Sequence, residues 1–135
     1  MKKIMTVVLI ASMLILGTVT ASASIFNDIA PMASNYSQVM TDLTITSGTA
    51  NASAAIYGKP GITTKTTIHL YIQQYKDGQW VDYKDWIKSE DSVNTSLSKS
   101  MAVAKGYKYR AKASCYAYAG SKCEHVTRYS AEVKY

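Results

Sequence analysis

From Gly106 to Tyr118 the chain reads Gly-Tyr-Lys-Tyr-Arg-Ala-Lys-Ala-Ser-Cys-Tyr-Ala-Tyr, alternating aromatic or small residues with cationic or polar ones. A period of two belongs to a half-buried strand and fits no helix. The pattern sends Tyr107, Tyr109, Ala111, Ala113 and Cys115 to one face and Lys108, Arg110, Lys112, Ser114 and Tyr116 to the other. Ala119-Gly120-Ser121 then breaks the pattern, and the chain returns through Lys122 and Cys123. A long β-hairpin follows from this stretch alone.

The two cysteines test the register of that hairpin. Placing Cys115 opposite Cys123 centres the turn on Ala119, with a three-residue loop Tyr118-Ala119-Gly120. Gly120 then takes the last loop position, which is left-handed in a type I turn followed by a G1 bulge. A Cys115–Cys123 disulfide is therefore expected, provided that the chain is exported. Zinc is the rival use of these residues, with His125 and the distant His69 as further ligands. A structural zinc site wants four ligands with tighter paired spacing, so neither metal nor cofactor is expected.

Export is what the first residues indicate. Lys2 and Lys3 precede a nearly continuous apolar run from Ile4 to Leu16, and Ala21-Ser22-Ala23 is an A-x-A site. This is the layout of a secretory signal peptide, with cleavage between Ala23 and Ser24. Serine at the cleavage point excludes lipoprotein processing, and the apolar run is short for a transmembrane anchor. Removal of residues 1–23 leaves 112 of the 135 residues, and the net charge falls from +6 to +4 as Lys2 and Lys3 leave. That length closes one core and is short for two. A mild positive charge favours anionic surfaces. The basic residues are scattered rather than blocked, so nucleic acid is not an expected partner. No stable membrane insertion is expected, and the localisation reads as extracellular.

The mature chain divides into an arm, residues 24–38, and a domain, residues 39–135. Met40 to Thr46 alternates apolar with polar residues, and Ala50, Ala52, Ala54 and Ile56 line one face of the next segment. Gly58-Lys59-Pro60-Gly61 is a break. Ile68, Leu70 and Ile72 then alternate with His69, Tyr71 and Gln73. Asp77-Gly78 is the dipeptide of a type I′ turn, whose two central residues both need positive φ. Counting outward from it pairs Tyr75 with Trp80, Gln73 with Asp82, Tyr71 with Lys84 and His69 with Trp86. Tyr71, Tyr75, Trp80 and Trp86 consequently share one face as a candidate ligand face. Cross-strand aromatic pairs also stabilise hairpins without a ligand, by roughly 0.2–1 kcal/mol each. Val93, Thr95, Leu97, Lys99 and Met101 form a further row before the Ala104-Lys105-Gly106 turn. Seven or so short strands without a helical period make a β-sandwich or barrel.

Ile68-His-Leu-Tyr-Ile-Gln-Gln-Tyr-Lys-Asp-Gly-Gln-Trp80, followed by Gly106-Tyr107-Lys108-Tyr109-Arg110, resembles the C–C′ and F strand signatures of immunoglobulin- and fibronectin-type-III-like modules in exported proteins of Gram-positive bacteria. It is also similar to a family of small secreted Firmicutes proteins of unassigned function. The resemblance spans about residues 40–135 and implies one immunoglobulin/fibronectin-III-like sandwich of about seven antiparallel strands. It also implies a tyrosine corner at Tyr109, with Tyr107 as the alternative. The cysteines depart from the antibody pattern, since they lie on one hairpin and flank no tryptophan.

No catalytic constellation is visible. Asp77 belongs to a turn, and Asp82, Asp85, Glu90 and Asp91 fall on exposed edges or a linker; no Gly-x-Ser-x-Gly elbow occurs. The expected function is a secreted, non-catalytic recognition module for a glycan, a cell-wall polymer or a protein. The alternative is a small bacteriocin-like or toxin-like effector acting at target-cell membranes.

Overall fold

The computed structural model describes residues 33–135. The signal-peptide reading, with its Ala23–Ser24 junction, lies outside the described residues. Eight strands follow one another without a helix among the described residues: β1 (Tyr36–Thr46), β2 (Thr49–Gly58), β3 (Lys65–Lys76), β4 (Gln79–Glu90), β5 (Asn94–Ala102), β6 (Lys108–Ala119), β7 (Lys122–Tyr129) and β8 (Val133–Lys134). They form two antiparallel sheets, ordered β1-β2-β5 and β4-β3-β6-β7, and the short β8 pairs with the start of β6. The chain changes sheet between β2 and β3, between β4 and β5, and between β5 and β6. The result is an immunoglobulin/fibronectin-III-like β-sandwich.

Local chemistry explains the hairpins. Ser47 and Gly48 have φ of 50° and 80°, and Asp77 and Gly78 have 52° and 80°. Both pairs thus satisfy the double positive φ of a type I′ turn, whose twist matches that of its strands. Between the sheets lie Ile68, Leu70 and Ile72 of β3, Ile56 of β2 and Tyr109 of β6, all fully buried. Burying each large aliphatic side chain is worth about 1.5–3 kcal/mol. Ala50, Ala52 and Ala54 of β2 and Ala111, Ala113 and Ala117 of β6 complete the interior. Small side chains on facing strands let two sheets approach closely around the larger ones.

The domain begins before residue 39. Tyr36 already belongs to β1 and is buried, as is Asn35. The Asn35 side chain donates to the Ala117 carbonyl at 3.2 Å, and its own carbonyl accepts from the Thr63 hydroxyl. The backbone N–H groups of Ser34 and Asn35 donate to the Glu124 carboxylate at 2.7 and 3.0 Å. The boundary expected at residues 38 and 39 therefore falls inside a strand. The apolar spacing Tyr36–Val39 departs from a strict period of two because the β1–β2 register shifts between Tyr36 and Gln38.

The expected disulfide is absent. Cys115 and Cys123 are both free, the first buried and the second exposed. The turn contains two residues, not three: Ala119 pairs with Lys122, so Cys115 faces Val126 and Cys123 faces Tyr118. Gly120, with φ of 61°, takes the first turn position and the loop closes on Ser121, the placement that a type II′ turn gives to glycine. An odd register sum places two odd-numbered residues on opposite faces of a sheet, because side chains alternate with period two. The cysteines are thereby separated by the sheet itself.

Candidate ligand-binding face

The outer face of the β4-β3-β6-β7 sheet is built from residues whose neighbours alternate inward. On β3 these are Thr67, His69, Tyr71, Gln73 and Tyr75, while Ile68, Leu70 and Ile72 point to the core. Trp80 lies opposite Tyr75, and the two rings meet edge to face with centroids 5.2 Å apart. Tyr71, Tyr75 and Trp80 therefore share this face.

Trp86 does not. The β3–β4 register shifts between Ile72 and Gln73, leaving Tyr83 as an extra residue; Ile72 pairs with Lys84, Tyr71 with Asp85 and Leu70 with Trp86. One inserted residue inverts the facing of everything beyond it. Trp86 accordingly packs against the core, and Ile87 takes the outer position at 66% exposure. The exchange buries the larger aromatic ring and leaves the smaller aliphatic side chain in water. Tyr83, at the bulge, meets the Tyr109 ring edge to face at 6.2 Å.

The face also holds what the sequence distributes over distant segments. β6 pairs with β3 along its length, setting Lys108 beside Tyr75, Arg110 beside Gln73 and Lys112 beside Tyr71. Each cation lies over a ring. Lys108 Nζ is 4.7 Å from the Tyr75 centroid, Lys112 Nζ is 4.7 Å from that of Tyr71, and Lys65 Nζ is 5.3 Å from that of Tyr118. Arg110 contacts two rings, Trp80 at 4.3 Å and Tyr129 at 4.2 Å, while its Nε donates to Gln73 Oε1 at 2.8 Å. The Gln73 amide in turn donates to Asp82 at 2.8 Å. These contacts fix the orientation of Arg110, since a guanidinium that is stacked and hydrogen-bonded loses most of its rotamer freedom. Lys65, Lys108, Arg110, Lys112, Tyr116, Tyr118 and Tyr129 are the members that sequence reasoning missed. The alternation of β6 shows that Lys108, Arg110 and Lys112 share a face; nothing local shows that this face adjoins Tyr71 and Tyr75.

A hydrogen-bonded chain crosses the same surface. His69 Nε2 is 2.6 Å from Asp85 Oδ2, and its Nδ1 is 2.8 Å from the Tyr71 hydroxyl. The order carboxylate, imidazole, hydroxyl is that of a nucleophile with its base. Its environment is not. The imidazole stacks on the phenol ring at 4.1 Å, and burial together with the Asp82 and Asp85 carboxylates pushes the Tyr71 phenol up from its ordinary value. A nucleophile requires the opposite shift. The chain is better described as a brace that orients Tyr71 beneath Lys112.

Tyr109 lies on the inner side of the same sheet. Its hydroxyl donates to the Ala104 carbonyl at 2.7 Å and accepts from Gln74 Nε2 at 3.1 Å. A tyrosine at the start of this strand bonding to backbone a few residues upstream is the tyrosine corner of immunoglobulin-like sandwiches. It ties the β5–β6 connection to β6 and so supports the face from beneath.

The opposite sheet offers a shallow groove lined by Met40, Asp42, Ser53, Ala55, Tyr57 and Ser98. It carries one charge, from Asp42, and no cation–ring contact. A scan against protein-family models finds no match to this chain, and none of the curated proteins matches it.

Proposed function

We propose that this protein is a secreted, non-catalytic recognition module whose outer β4-β3-β6-β7 face binds an anionic polymer, either an acidic glycan or an anionic wall polymer. The observation that carries this reading is the set of cations held over rings: Lys65, Lys108, Arg110 and Lys112 on Tyr118, Tyr75, Trp80, Tyr129 and Tyr71. The ring faces are covered by the cations, so a neutral sugar has little flat surface on which to stack. An anion meets positive groups already fixed in position, which lowers the ordering cost of binding. Asp82 and Asp85 mark the β4 margin as the less favourable side, so the ligand is expected to follow β6.

The test is calorimetric titration of the secreted chain with acidic and neutral polysaccharides, at low and high salt. Binding to the acidic polymer should weaken as salt rises, because exposed charges are screened beyond a Debye length of about 8–10 Å. Lys108→Ser/Lys112→Ser should weaken it at least about tenfold, corresponding to about 1.4 kcal/mol, with the fold retained. Equal binding by wild type and the double variant, or a preference for the neutral polymer, would remove this face from the account. Dye release from anionic vesicles would instead favour the membrane-acting alternative.

A further inference from the structure

We infer that β1 is a dimerisation edge: it pairs antiparallel with β1 of a second copy of this chain, about a two-fold axis through Thr41. This goes beyond the binding face and does not depend on it. β1 is the last strand of its sheet, and a sheet edge with unpaired backbone groups is a template for another strand. The direction of those groups can be read from the hairpins. Gly58 N–H donates to the Val93 carbonyl at 2.8 Å and Val103 N–H donates to the Gly48 carbonyl at 2.9 Å, so even-numbered residues of β2 face β5. Odd-numbered residues of β2 therefore face β1, and the register pairs them with even-numbered residues of β1. Backbone groups alternate along a strand. Val39, Thr41, Leu43 and Ile45 consequently direct their N–H and C=O groups outward, away from the described residues.

The other edges are defended and this one is not. On β5, the far edge of the same sheet, Lys99 adds a charge and the Ser96 carbonyl accepts from Lys88 Nζ at 3.1 Å. β4 carries the bulge at Tyr83 with Lys84, Asp85 and Lys88 around it, and β7 is short and continued by only two residues of β8. Bulges, charges and short edges are the usual protections against pairing. β1 runs for 11 residues with Asp42 as its one charge, and its irregularity is confined to Tyr36–Gln38.

The occupant is a second copy because the strand complements itself. Thr41 is the midpoint of Tyr36–Thr46, so an axis there gives the longest overlap. It places Val39 opposite Leu43 of the second copy on the core side and Met40 opposite Asp42 on the outer side. Moving the axis one residue toward Asp42 would set the two Asp42 carboxylates directly against each other, which is unfavourable. Moving it one residue the other way would shorten the overlap and part the two Thr41 side chains. A polar deficit falls on the same side of the sandwich. The buried side-chain atoms without a hydrogen-bond partner among the described residues are Thr41 Oγ1 and Arg128 Nε. They lie on β1 and β7, the edge strands stacked on this side. Thr41, 7% exposed, meets its own copy across the axis, where a χ1 rotation lets one hydroxyl donate to the other; cross-strand Thr–Thr bonds are a recognised pairing. Such an axis stands perpendicular to the sheets. Both outer faces then look the same way, which suits a repeating polymer if the binding proposal also holds.

Sedimentation of the secreted chain over a concentration series, with amide exchange of β1 at both extremes, tests the inference. Molar mass should double as Val39, Thr41, Leu43 and Ile45 amides gain protection, whereas Met40, Asp42 and Thr44 are protected throughout. Thr41→Pro removes an outward N–H that the monomer does not use and should hold the protein monomeric. Met40→Cys/Asp42→Cys in a Cys123→Ser background should form an intermolecular disulfide, because these positions are a non-hydrogen-bonded pair with Cα atoms about 4.5 Å apart. A constant monomer mass at millimolar protein, or a dimer whose four outward amides exchange freely and whose added cysteines do not cross-link, would overturn it.

Discussion

Replacing Tyr109 by phenylalanine removes a single oxygen and should cost more than most surface substitutions in this domain. The hydroxyl serves two partners, donating to Ala104 O at 2.7 Å and accepting from Gln74 Nε2 at 3.1 Å. Ala104 is exposed, so water can replace the lost donor there. Gln74 is buried, and its amide would be left without its acceptor. A net hydrogen bond is worth about 0.5–1.5 kcal/mol, and a stranded buried donor costs about 1–3 kcal/mol. We therefore expect Tyr109→Phe to lose about 2–3 kcal/mol, lowering Tm by roughly 8–20 °C for a domain of this size. Urea denaturation should show the loss as a lower midpoint with an unchanged slope. The decisive measurement is the cycle with Gln74→Met, in which the stranded amide no longer exists. Removing both partners is nearly neutral compared with orphaning one. The double variant should thus be more stable than the two single losses predict, by about 1 kcal/mol or more. Strict additivity, or a Tyr109→Phe loss below about 0.5 kcal/mol, would show that the corner bond carries no such energy.

Two further outcomes follow from the remaining geometry. Without denaturant, Cys123 should react with a thiol reagent while Cys115, buried and pushed up to about 12 mainly by desolvation, should not; labelling after unfolding should find both, and a pair that resists alkylation until reduced would contradict the register. Glu124 should make the domain acid-sensitive: burial alone would raise its carboxyl, but the Asn35 and Ser34 donors and Lys59 overcome this and hold it below the ordinary value. A carboxyl depressed in the folded state stabilises above the unfolded pKa, and that contribution is lost as pH falls through the folded one. Glu124→Gln should therefore cost about 1 kcal/mol at neutral pH and flatten the acid limb of the stability curve, with fraying that begins at Ser34 and Asn35; an unchanged acid limb would refute the clasp.

How much was legible depended on the range of the interaction. The Asp77-Gly78 turn and the inward rows Ile68-Leu70-Ile72 and Ala50-Ala52-Ala54-Ile56 are each encoded within a few residues, by turn chemistry and a period of two, whereas the corner at Tyr109, with Tyr107 as its alternative, came from the family resemblance. Tyr71, Tyr75 and Trp80 were gathered on one face by counting from a single turn. That counting failed at Trp86, where a bulge re-aims the strand. It failed again at Cys115 and Cys123, where a two-residue loop replaced a three-residue one. Both failures come from one inserted or omitted residue. Its cost is local and small, but its consequence is a change of face for every residue beyond it.

By itself the sequence determined that this chain makes antiparallel strands, where the Asp77-Gly78 type I′ turn closes, and which residues supply most of the core, because steric and solvation preferences act residue by residue. Only the tertiary structure decided that β6 lies beside β3. Lys108, Arg110 and Lys112 thereby come to rest on Tyr75, Trp80, Tyr129 and Tyr71. Strand adjacency across some 30–40 residues is selected by how the whole core closes, and no local preference carries that information.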